Sequence, residues 1–155
     1  MLNPLKHLLT QFFMPEGNQS LLTDERSLQL ATAVLLVEVM RSDAEITDAE
    51  RATTLTALRT RYALNEDELA RLMARAEDTV KGANDYFAFT SAMNDHFTQP
   101  QKVALVEAMW KVAYADGHID ANENHLISKI AGLLYVTHGE YIAAKLYARD
   151  AAQLG

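Results

Sequence analysis

Two eleven-residue runs, L-A-T-A-V-L-L-V-E-V-M at 30–40 and V-A-L-V-E-A-M-W-K-V-A at 103–113, are apolar on almost every side of a helix. A surface helix keeps one polar face, so these runs predict two helices buried all round. The rest of the chain must then wrap them. At 155 residues it is long enough to do so within one domain and bury about two thirds of its unfolded surface.

Helical periodicity dominates elsewhere too, while sustained period-two alternation is missing and only three prolines and six glycines interrupt the pattern. Asn3-Pro4 reads as a cap and first helical proline, with Leu5, Leu8, Leu9 and Phe12 on one face. This face predicts a helix folded back on the bundle rather than lying on a membrane, because Lys6 is its one certain cation. A turn-rich stretch, M-P-E-G-N-Q-S at 14–20, follows. Further helices are predicted from about Thr23 to Arg41, after Thr47, and from an Asn65 cap with Glu68 at the third helical position. Past the break at Gly82 and Asn84, Tyr86, Phe89, Met93 and Phe97 define another; Pro100 starts the next, and two more begin near Asp120 and Gly139. Met93, Phe97, Met109 and Trp110 sit at core spacing, and Trp110 is expected to anchor the interior. The expected fold is all-α, a compact bundle of seven to eight short helices. Residues 1–21 form an N-terminal helix and linker, and residues 22–155 the helical domain.

Fourteen basic against 21 acidic residues give a net charge of −7, which argues against nucleic acid as a partner. The absence of cysteine excludes disulfides and thiolate metal sites and suits the cytoplasm. Neither a signal peptide nor a transmembrane segment is expected, since the longest apolar stretch, at 31–40, is too short and carries Glu38.

A shift of 73 residues lays Leu30–Tyr62 over Val103–Tyr135 with six identities: Ala31/Ala104, Val39/Val112, Asp43/Asp116, Ile46/Ile119, Glu50/Glu123 and Tyr62/Tyr135. Half of them fall in one window, where D-A-E-I-T-D-A-E faces D-G-H-I-D-A-N-E. A helix, an acidic turn and a second helix thus occur twice, which predicts an approximate internal two-fold axis. The stretch T-T-L-T-A-L-R-T-R at 53–61 is more polar than its counterpart at 126–134. Either one half is more exposed or the alignment slips after the turn.

The second acidic turn is not an EF-hand. With Gly117 at loop position 6, Asp116, Asp120 and Glu123 fall on ligand positions, but Val112 and Tyr114 occupy positions 1 and 3, which need oxygen ligands. Val39 and Arg41 fail in the same way in the first copy. Much of each turn is explained by capping: Thr47 with Glu50, and Asp120 with Glu123, each form a capping box. Gly117 supplies the positive φ that closes the preceding helix, and Ile46 and Ile119 are expected to tuck under the turns as staples. Asp43 and Asp116 are left over, because an anion at a helix C-terminus opposes the dipole. If the two-fold axis brings the turns together, Asp43, Glu50, Asp116 and Glu123 form an all-oxygen cluster suited to Ca²⁺ or Mg²⁺.

At these residues, A-D-G-H-I-D-A-N-E at 115–123 and the degenerate S-D-A-E-I-T-D-A-E at 42–50, the chain resembles the TerB-like tellurite-resistance family. The resemblance covers roughly residues 22–150. A related domain precedes the J-domain of some membrane-anchored co-chaperones, so the module can serve as an adaptor. It implies an all-helical duplicated fold, a candidate divalent-cation site at Asp43, Glu50, Asp116 and Glu123, and a stress-response context without catalysis, acting through protein partners, some at the membrane surface. Ala44 departs from the pattern where the second copy has Gly117. The competing expectation is an adaptor without metal, its turns serving only as caps.

An enzyme is not expected. The chain lacks His-Glu-x-x-His, Glu-x-x-His, a phosphate loop and a Gly-x-Ser-x-Gly elbow, and its five histidines do not cluster. Glu38 and Lys111 occupy equivalent positions in the two apolar runs. Lys111 is expected to pair with Glu107 one turn away, the alternative being that Glu38 lines the acidic site or pairs with Lys111 across the axis.

Overall fold

A computed structural model describes residues 25–42, 46–82, 86–115, 117 and 119–154. Seven helices fill the described residues: α1 Glu25–Ser42, α2 Asp48–Tyr62, α3 Glu66–Gly82, α4 Phe87–His96, α5 Gln99–Ala113, α6 Ala121–Leu133 and α7 His138–Leu154. No strand occurs among them. The helix expected near Asn3 lies outside the described residues.

The two all-apolar runs form the centres of α1 and α5. From Leu30 to Met40 every α1 residue except Glu38 is buried, and α1 touches α2, α3, α4, α5 and α6. Helix α5 buries Leu105, Val106, Met109, Trp110, Val112 and Ala113 against α1, α2, α6 and α7. Trp110 is fully buried, with ring contacts to Tyr114 at 6.0 Å and Tyr141 at 5.5 Å. Buried Ala144 and Ala148, one turn apart, turn a small-residue face of α7 inward, and α7 packs on α5.

Packing partners pair off under the 73-residue shift. Helix α1 packs on α2 and α3 as α5 packs on α6 and α7, and α1 touches α6 as α5 touches α2. Helix α4, seated on α1 and α6, has no counterpart among the described helices.

Helix starts follow the local sequence. Capping boxes open α2, α5 and α6 from Thr47, Thr98 and Asp120. Reciprocal bonds of the same kind join Asn65 to Glu68 and Thr137 to Glu140. The backbone N–H of Thr137 and the side chain of Gln99 hold the Glu140 carboxyl below its ordinary value. Its contribution is therefore present above the unfolded pKa and is lost as pH falls through the lower folded one.

Left-handed residues follow both α2 and α6, one position out of register with the 73-residue shift. Ala63 closes α2 at φ 52°, and Tyr135 follows α6 at φ 58°. A left-handed alanine is strained where glycine is not, so Ala63→Gly should stabilise the protein by about 0.5–1 kcal/mol, read as a raised urea midpoint. Gly117 adopts φ 94°, as its turn requires.

One expectation fails. Ile46 is 47% exposed, whereas Ile119 packs against the core. A staple needs an apolar residue at the fourth helical position, and Arg51 and Asn124 stand there.

Candidate functional site

The acidic turns join α1 to α2 and α5 to α6. Asp43, Asp116 and His118 lie outside the described residues, so the site is built from its flanks. In the first turn, Glu50 Oε1 accepts the Thr47 backbone N–H at 3.0 Å and the Thr47 hydroxyl at 3.3 Å, while the Glu50 N–H donates to Thr47 Oγ1 at 3.1 Å. In the second, Glu123 Oε1 accepts the Asp120 N–H at 3.1 Å, and Asp120 Oδ1 accepts from Asn122 at 2.7 Å and Glu123 at 3.2 Å.

Capping alone does not require burial: Glu68 makes the same reciprocal bonds and is exposed. Glu50 and Glu123, by contrast, are both 0% exposed. Glu50 Oε2 is buried without a hydrogen-bond partner. An ionised oxygen in that position is costly unless a compensating charge or donor is supplied.

Two surface hollows locate the stems of the turns. Ser42, the last described residue before the first turn, shares one of about 490 Å³ with Asn122 and Leu126 of α6. Ala115 and Gly117 of the second turn share one of about 510 Å³ with Thr53 of α2. The hollows are lined by equivalent residues, since Glu38, Arg41, Ser42 and Leu126 of one correspond to Lys111, Tyr114, Ala115 and Thr53 of the other. Each turn thus begins against the second helix of the opposite half.

Among the described residues no group of three or more His, Asp or Glu is placed to hold a metal ion. The described members, Glu50 and Glu123, are oxygen donors, and a buried unpartnered oxygen at Glu50 fits a hard cation such as Ca²⁺ or Mg²⁺.

Lys111 Nζ pairs with Glu107 at 3.1 Å, as expected from their spacing. Glu38 accepts from Arg41 Nη1 at 3.0 Å and from the Tyr86 hydroxyl. Burial first, then the Glu38 hydrogen bond and charge, pushes the Tyr86 hydroxyl well above its ordinary pKa, so it stays a donor. That pair links α4 to α1 beside the first turn, and nothing in the spacing of Glu38 and Tyr86 signals it.

Among the described residues no helix is long and apolar enough to cross a membrane. A family model described as tellurite resistance protein TerB matches residues 29–146. Neither a curated protein nor a solved structure matches the chain.

Proposed function

The chain belongs to the TerB tellurite-resistance family, and from that membership and the turn geometry we propose a non-enzymatic stress-response module that binds a divalent cation at its duplicated acidic turns. The carrying observation is Glu50, a fully buried carboxylate with one oxygen committed to its cap and the other unpartnered. Asp43 and Glu50 in the first turn, and Asp116 and Glu123 in the second, are the residues that would hold the ion. A bound Ca²⁺ or Mg²⁺ supplies positive charge and oxygen coordination, not a reaction.

The chain's own residues prepare for this. The two capping boxes fix Glu50 and Glu123 at the starts of α2 and α6, and each turn starts from a hollow shared with the opposite half. An approximate two-fold relation between the halves belongs to the proposal, and the paired packing of α1–α3 and α5–α7 supports it. A cation tying both turns would couple the halves and set the surface offered to protein partners in the cytoplasm.

The test is a melt of the protein without added metal and with Ca²⁺, Mg²⁺, Mn²⁺ or Zn²⁺, repeated for Asp116→Ala. A cation at one hundred times its Kd adds about 2.7 kcal/mol, which raises Tm by about 5–10 °C for a chain of this size. Asp116→Ala should abolish that shift. Melts unchanged by all four ions would leave a metal-free adaptor, a reading favoured by how completely both capping boxes are formed.

A further inference from the structure

Helix α4 immediately precedes the second half of the molecule, and its seat on α1 and α6 is held by identifiable contacts. The Tyr86 hydroxyl donates to Glu38, Lys129 Nζ lies 5.7 Å from the centre of the Tyr86 ring, and Asn94 Nδ2 donates to the Leu133 carbonyl at 2.8 Å. The 73-residue shift carries Glu38, Lys129 and Leu133 onto Lys111, Thr56 and Thr60. Those three residues line an open groove of about 540 Å³ between α2, α5 and the flank of α1. The first half therefore carries the equivalent of α4's seat, and no described helix fills it.

The groove also has smaller residues at two lining positions than the other half has. Ala57 and Ala108 line it where the other half has buried Ile130 and Leu35. Small side chains in place of large ones leave room for bulky apolar groups on an incoming helix. The shift lays α4 over residues 14–23, largely the turn-rich stretch, so an occupant that precedes α1 as α4 precedes α5 must come from further upstream. There, helical spacing puts Leu5, Leu8, Leu9 and Phe12 on one face. The groove meets α1 at Thr32 and Leu36, about 10–17 Å along the helix axis from Glu25. Residues 14–24 can span up to about 36 Å when extended, enough for the chain to turn back.

We infer that residues 3–13 dock in this groove as the first half's counterpart of α4. The occupant supplies large apolar side chains, and the groove supplies an alanine and threonine floor. Thr53, Thr60, Arg61 and Glu107 stand where the other half has Leu126, Leu133, Leu134 and Val34, which makes the wall more polar than its counterpart, so the segment is bound less firmly than α4.

The test compares hydrogen exchange in the full chain with that in full-length Leu8→Asp/Leu9→Asp, whose changes lie outside the described bundle. Amides at 52–61 should exchange at least about tenfold faster in the variant, with those at 125–134 unchanged. A second readout uses the cysteine-free background. Leu9→Cys/Thr56→Cys should oxidise to an intramolecular bridge, and Leu9→Cys/Lys129→Cys should stay reduced. Equal exchange with no bridge would overturn the inference and leave the groove to another protein. A bridge formed only between chains would overturn it in favour of a second copy's segment.

Discussion

Trp110→Ala should destabilise the fold by about 3–5 kcal/mol and lower Tm by roughly 6–20 °C. The indole is fully buried in α5, contacts Tyr114 on its own helix and Tyr141 on α7, and carries Lys145 Nζ 4.9 Å from its ring centre. Truncation removes the ring contact between α5 and Tyr141 of α7 and leaves a cavity at the centre of the second half. Trp110→Phe should behave very differently, costing less than about 1.5 kcal/mol. It keeps an aromatic ring against both tyrosines and deletes the buried Nε1–H, which has no hydrogen-bond partner. An orphaned donor costs about 1–3 kcal/mol, enough to offset much of the lost packing. Urea denaturation followed by far-ultraviolet circular dichroism reads both variants without relying on tryptophan emission. Near-equal costs for the two would show that the ring's packing is not what matters at this position.

The central helices were readable because burial on all sides leaves a run with no polar face, and 30–40 and 103–113 contain almost no polar positions. Helix starts were readable where capping is local: Thr47 with Glu50, Asn65 with Glu68 and Asp120 with Glu123 each need only four residues. The cap at Thr98 is masked in the sequence by Pro100, the stronger boundary signal. Proline occupies the second helical position there, and Thr98 with Gln101 forms the cap.

Burial of the candidate site was not readable. Glu50 and Glu68 close the same kind of local ring, yet one is buried and the other exposed. The difference is one of tertiary packing, which no four-residue pattern encodes. The seat of α4 was hidden for the same reason, since its polar contacts join residues 39 and 48 positions apart. The polar stretch at 53–61, by contrast, did carry a legible message. Thr53, Thr60 and Arg61 are each more exposed than their counterparts Leu126, Leu133 and Leu134, so this helix of the first half is the more open one.

Glu50→Ala and Glu50→Gln should part company, because they remove different things. Alanine deletes the acceptor of the Thr47 N–H and leaves a void at a buried position, an expected loss of about 2–3 kcal/mol with or without metal. Glutamine retains an oxygen at Oε1 for the cap and replaces the unpartnered Oε2 with a neutral amide nitrogen. Without a divalent ion, Glu50→Gln should fall within about 1 kcal/mol of the parent, because removing a buried charge compensates for the weaker acceptor. With Ca²⁺ or Mg²⁺, the parent should gain stability and Glu50→Gln should not, so the difference between them opens only when metal is added. An ion-dependent gain of equal size in Glu50→Gln and the parent would remove Glu50 from any metal site. Glu68→Gln provides the control: its carboxylate is already solvated, so it should match the parent in both conditions, and a loss there would mean that the charge of a capping glutamate, rather than its burial, governs these helix starts.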